Sequence, residues 1–183
     1  MSKVKRLAKS YARFIATPWR EDAAAAQRVV FCVYRENEER VLRAKIEEFE
    51  LDTRKAGHDW HLYDLTATFA HWLAGQRYAS KYFGSPELLS NLLPKYLDDL
   101  ERQFRVFVDE RTVDANAVVA IHGVGSLFGL VKVKDVVDRF APAVPGRLLV
   151  FFPGTFEDNN YRLFDAYDGW NYLAVPITAD KEF

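Results

Sequence analysis

His122 closes an apolar run, residues 117–122, and is followed at once by Gly123-Val124-Gly125. A histidine at the carboxyl end of a buried strand suits general acid–base work when a carboxylate stands beside it, and Asp64 and Asp158 are the acids placed to arrive from neighbouring strand ends. The glycines offer backbone amides to an anionic group near a helix start. His122, Gly123, Gly125 and Asp64 therefore form a candidate ligand turn. The same residues have a plainer use, because glycines permit a sharp turn out of a strand and a histidine can cap the edge of a core. The spacing G-x-G-x-x-x-G over 123–129 is one residue longer than the dinucleotide fingerprint, and it follows the third strand rather than opening the chain. The plainer use is the reading adopted.

Other constellations carry less. No G-x-x-x-x-G-K-[ST] occurs, and the first strand runs into Arg35-Glu36-Asn37, so Walker-type nucleotide hydrolysis is not expected. Ser126 lies outside any G-x-S-x-G frame. His58 and His61 sit three apart in a β-like stretch and point to opposite faces, while His71 has no second ligand at helical spacing. The acids and amides of 157–160 lack calcium-loop spacing and read as a solvated loop. A single cysteine, Cys32 inside VVFCVY, excludes an internal disulfide and a cysteine-based zinc site. No metal site, cofactor or catalytic residue set is expected.

A net charge of −1 conceals an asymmetry. Residues 1–20 hold six basic side chains and no acid, leaving 19 basic and 26 acidic residues in the remainder. Lys3, Lys5, Arg6, Lys9 and Arg13 lie on an amphipathic helix whose charged face could meet phosphates, acidic lipid or an acidic partner. Its Val4, Leu7, Tyr11 and Phe14/Ile15 stripe equally suits covering a sheet, with the charges merely solvated. Aromatic residues make up 15% of the chain, enough to place some on the surface as contacts. Trp19, Tyr78, Tyr82 and Trp170 are the interface candidates, with Arg77 and Lys81 beside the second and third. No apolar run is long enough to span a membrane, the basic opening lacks the apolar centre of a secretory signal, and a cytoplasmic location is expected.

Around these residues the elements follow from periodicity. Short apolar runs at 28–34, 60–63, 117–122, 147–152 and 172–176 predict five strands, with helices at 3–16, 38–56, 66–112 in pieces, and 131–140. A short turn or helix is expected at 160–166. Asn37, Asp64 or Thr66, and Ser85 before Pro86 are the expected helix caps, and Pro94 the start of a helix to about 110. The 183 residues predict a single α/β domain, a three-layer, mostly parallel sheet of about five strands flanked by helices, P-loop-like or Rossmann-like without a nucleotide motif. The stretch 66–112 reads as a helical insertion.

Four stretches then carry a likeness: W-H-L-Y-D-L at 60–65, A-I-H-G-V-G-S-L-F at 120–128, L-V-F-F-P-G at 149–154 and L-F-D-A-Y-D-G-W-N-Y-L-A at 163–174. In this order and spacing they resemble the BrxB family, small proteins of bacterial BREX phage-defence operons. The resemblance covers about two-thirds of the chain. It implies a non-catalytic component that binds other defence proteins, especially the PglZ-like alkaline-phosphatase-fold protein, and it brings no catalytic residues. Ser126, Gly129 and Lys132 stand where the family commonly has a glutamate and a proline- and arginine-containing segment, which implies altered contacts in a divergent member. A nucleic-acid-binding module using the basic helix and a small phosphate-handling enzyme at Gly123–Gly125 are the alternatives.

Overall fold

The computed structural model describes residues 2–166 and 169–180. The opening stripe forms helix α1 (Lys3–Ile15), capped by Ser2, whose hydroxyl accepts from the Lys5 amide at 3.3 Å. Val4, Leu7, Ala8, Tyr11 and Ile15 are buried on one face. Strand β1 (Val29–Tyr34) follows and is buried throughout. Next come α2 (Glu39–Arg43), α3 (Ile46–Lys55) and strand β2 (Asp59–Asp64), whose alternating exposure marks a sheet edge. Between β2 and β3 lie α4 (Thr68–Ala74), α5 (Ala79–Gly84), a 3-10 stretch Pro86–Asn91 and the long α6 (Leu93–Glu110), which carries Pro94 in its first turn. Strand β3 (Ala117–His122), α7 (Val133–Phe140), β4 (Arg147–Glu157), β5 (Asn160–Leu163), β6 (Trp170–Asn171) and β7 (Val175–Ile177) complete the order.

The sheet has seven strands and is mixed rather than mostly parallel. Its path β2-β3-β4-β1-β7 is joined by parallel pairs. β5 pairs antiparallel with the end of β4, and β6 with β5. The order of the parallel strands also differs from those of the doubly wound dinucleotide- and flavin-binding sheets, which removes the Rossmann-like expectation.

Strand alternation sorts the core onto two faces. Val29, Phe31 and Val33 join Val119, Ile121, Leu148, Val150 and Phe152 beneath α6 and α7. Val30, Cys32 and Tyr34 join Val118, Ala120, Leu149 and Phe151 beneath α1 and α3. Inside the second cluster, Thr53 donates to the Phe49 carbonyl at 2.8 Å, so the Tyr11 hydroxyl donates to Thr53 Oγ1 at 2.6 Å. Tyr11→Phe strands that buried acceptor and is expected to cost about 1 kcal/mol, a fall of about 2–4 °C in Tm by thermal denaturation. An unchanged melting curve would show that the bond contributes nothing.

Several local expectations are corrected. The helix expected over 38–56 is two helices, because α2 closes on the Arg40 and Leu42 carbonyls and Lys45 turns out of helical geometry. Val41, within α2, is 43% exposed. Asn37 lies within a 3-10 turn, not at a cap. Ser85 stands at the N-cap before Pro86 as expected, but its side chain makes no capping bond and the element is 3-10 rather than α-helix. Of the turn or helix expected at 160–166, residues 160–163 are instead strand β5 and only 164–165 form a turn; β5 follows a two-residue turn in which Asp158 and Asn159 both take positive φ. Two successive left-handed residues match the twist of a tight hairpin, and Asp and Asn tolerate them. The fifth strand, expected at 172–176, divides into β6 and β7 around 172–174.

Candidate functional site

At the carboxyl ends of β2 and β3 the register places Asp64 opposite His122. The imidazole Nε2 is 3.5 Å from Asp64 Oδ1, and the same oxygen accepts the Thr66 amide at 2.8 Å. This short Asx turn, rather than a cap, is what Asp64 does: α4 starts later, after Ala67. Arg43 reaches over from α2, donating to Thr66 Oγ1 at 3.2 Å and to Glu39 Oε1 at 2.6 Å. Tyr34, at the end of β1, donates its hydroxyl to the other Glu39 oxygen. A chain of polar groups, Tyr34–Glu39–Arg43–Thr66–Asp64–His122, thus runs across the strand ends. His122 is 12% exposed, and its Nδ1 is buried without a hydrogen-bond partner among the described residues.

Electrostatics follow from the packing. Burial pushes His122 below the ordinary histidine value, against the opposing pull of Asp64, with Arg43 lowering it further and Glu39 raising it. For Asp64, burial acts upward, but the Thr66 hydrogen bonds, His122 and Arg43 together bring it below the usual carboxylate range. Burial, then the bond to Glu39, raises the Tyr34 phenol.

Because folded His122 binds its proton less readily than in the unfolded chain, its contribution to stability is lost as pH falls from about 6.5 toward its lowered value. His122→Gln should flatten that loss in urea denaturation followed across this window. His61 is shifted the same way by burial, so the slope should shrink rather than vanish. Asp64, depressed as well, loses its contribution only at lower pH, near and below the ordinary carboxylate value. An unchanged slope in the variant would show that His122 is not the group responsible.

The glycine turn packs closely against its neighbours on the side where a Cβ would stand. Gly123 has φ +78, and a Cβ there would stand 2.7 Å from the Thr66 amide nitrogen. A Cβ on Gly125 would stand 2.7 Å from the tip of the Phe164 ring. Close packing by residues 66 and 164 accounts for glycine at both positions.

Other sequence candidates fall elsewhere. Trp19 stacks on His58 at 3.8 Å, while the Arg147 guanidinium lies 4.7 Å from the Trp19 ring centroid, so Trp19 fastens the linker after α1 and is half-buried. Trp170 packs edge-on to Phe152 at 5.4 Å and is half-buried as well. Tyr78 is 56% exposed with the Arg77 guanidinium 5.4 Å from its ring centroid; Tyr82 is half-buried. Lys3, Lys5, Lys9 and Arg13 lie on the exposed side of α1. Arg6 instead ties down the distal end of the chain, bonding the Ala179 carbonyl at 3.4 Å and Asp180 at 3.2 Å.

Sequence reading missed Tyr34, Glu39, Arg43 and Thr66. The i,i+4 spacing of Glu39 and Arg43 signals a helical ion pair, but nothing in the linear order signals its approach to Thr66. It also missed Phe83, which is 64% exposed next to Tyr82. Among the described residues no group of three or more acids, histidines or cysteines is placed to hold a metal ion, and no helix is long and apolar enough to cross a membrane. Comparison of the chain with family models, curated proteins and solved structures found no match to any of them.

Proposed function

We propose that this protein is a non-catalytic docking component that binds another protein through the segment around α5, and that its partner belongs to a BREX-type phage-defence assembly. The observation that carries the docking reading is that neither α5 nor the 3-10 stretch after it holds a buried residue. Two short helical turns with no side chain in the core gain little from the rest of the fold. The exposed aromatic residues here, Tyr78 just before α5 and Phe83 within it, stand beside Arg77 and Lys81. Aromatic and arginine side chains concentrated on one surface are the usual anchors of protein interfaces. The surrounding cations favour an acidic partner surface.

The defence assignment rests on the resemblance to BrxB. The four stretches that carry it occupy β2, β3 with its glycine turn, β4 and the β5–β6 region. The first three strands are successive neighbours in the sheet, and β5 pairs with β4. Tyr167 and Asp168, part of the last stretch, lie outside the described residues. In this reading the sheet is a P-loop-like scaffold in which Arg35-Glu36-Asn37 replaces the phosphate-binding loop after β1, and the PglZ-like protein is the first partner to test.

Support for binding over turnover comes from the polar chain at the strand ends. Arg43 is committed to Glu39 and Thr66, and Asp64 to the Thr66 amide. A phosphate-handling site would need the Arg43 donors free for its substrate and the Asp64 carboxylate free to act as a base.

The experiment is co-expression of the tagged protein with a PglZ-like protein from a BREX cluster, followed by size-exclusion chromatography and a phosphatase assay on the tagged protein alone. Co-elution as one complex, with no turnover by the tagged protein, is the expected result. Separate elution removes the defence assignment, and phosphate release lost in His122→Ala replaces docking with catalysis.

A further inference from the structure

The protein also has an apolar cavity of about 750 Å³, between the start of α7 and the segment that follows β5. That is within the size range of small-molecule sites, roughly 300–1,000 Å³. Its walls carry Phe128, Val133, Leu163, Phe164 and Trp170. Phe128 is 53% exposed, unusual for a ring beside so much apolar surface.

Phe164 is the second observation. It holds φ +50, a strained conformation for a bulky residue, and its amide bonds the Pro153 carbonyl at 3.0 Å. That posture drives its ring against Gly125 and brings it within 5.2 Å of Phe128, tilted at 61°. Backbone strain held by surrounding structure concentrates where a ligand is gripped. Here it fixes one aromatic wall of the cavity.

Charge sets the class of ligand. Among the described residues, Lys132 and Lys134 line the same cavity, against one acid, Asp165. Lys134 is paired with Asp138 at 2.6 Å, whereas Lys132 is exposed and has no hydrogen-bonding or ionic partner among the described residues. An apolar body is served by the rings, and an acidic group on it by Lys132. We infer that the cavity bounded by Phe128, Phe164, Trp170 and Lys132 is a binding site for a small aromatic anion, a planar ring system carrying a sulfonate, carboxylate or phosphate. The site shares no residue with the α5 surface and does not depend on the docking reading.

Two fluorescent probes that share a ring system test both halves of the assignment. 1-Anilinonaphthalene-8-sulfonate carries an acidic group, and N-phenyl-1-naphthylamine lacks it. The sulfonate probe is expected to bind the folded protein at one site, at least tenfold tighter than the neutral probe. Lys132→Glu should weaken the sulfonate probe about fivefold or more and leave the neutral probe unchanged. Phe128→Ser, at an exposed position, should weaken both, with melting temperatures confirming that each variant is folded. Equal affinity for the two probes, binding of the sulfonate probe that neither substitution alters, or no binding of it would each overturn the assignment.

Discussion

Phe31→Ala is expected to lower stability by about 3–5 kcal/mol, the cost of deleting a fully buried ring from a packed core. Phe31 is inaccessible to solvent in β1, the strand held between β4 and β7. Its ring meets Tyr161 at 4.5 Å, Phe152 at 5.4 Å and Tyr172 at 6.1 Å. Those rings come from β4, from β5 and from the segment before β7, so one truncation opens a void where the parallel sheet meets its antiparallel extension. For a chain of this size each kcal/mol moves Tm by about 2–4 °C, placing the expected fall near 10 °C. Phe31→Leu keeps much of the volume and should cost about half as much or less. A loss under about 1 kcal/mol for the alanine variant, by chemical denaturation, would mean that this aromatic cluster is not closely packed.

Replacing both Tyr78 and Phe83 by aspartate is expected to reduce affinity for the proposed protein partner at least a hundredfold while leaving stability nearly unchanged. Each of two interface anchors is commonly worth about 2 kcal/mol or more on truncation, and an acid facing an acidic partner adds repulsion. Both side chains are more than half exposed, and α5 buries nothing, so the fold has little to lose. Titration calorimetry against the PglZ-like protein reads the first effect and thermal melting the second. Retained affinity with unchanged melting would remove α5 from the interface. Collapse of the fold would show that these rings are structural.

The two substitutions also separate what was legible in the chain from what was not. Phe31 belongs to a run, VVFCVY, whose unbroken apolar character marks a strand covered on both faces. The runs at 117–122 and 147–152 are read the same way, and β3 and the first half of β4 lie there. The apolar stripe of residues 3–16 is likewise buried as α1. Phe83 carries no such mark. FAHWLAGQRYASKYF spaces its rings well enough for a core helix, and its division into a packed α4 with Leu73 buried and an open α5 depends on which turns reach α6.

Burial periodicity is a local property, so the amino-acid order alone determined the strands that are apolar on every side, the helix stripes that cover them, and the pairing of His122 with an acid as one option among two. Choosing Asp64, and adding Arg43, Glu39 and Tyr34 to it, took the tertiary structure, because the chain of contacts must pass from the end of β1 to the end of β2, three strands away in the sheet with β4 and β3 between. The mixed character of the sheet and the cavity were likewise decided only there. Both depend on where residues 158–166 fold back, a choice made by a two-residue turn and a strained phenylalanine rather than by any hydrophobic pattern.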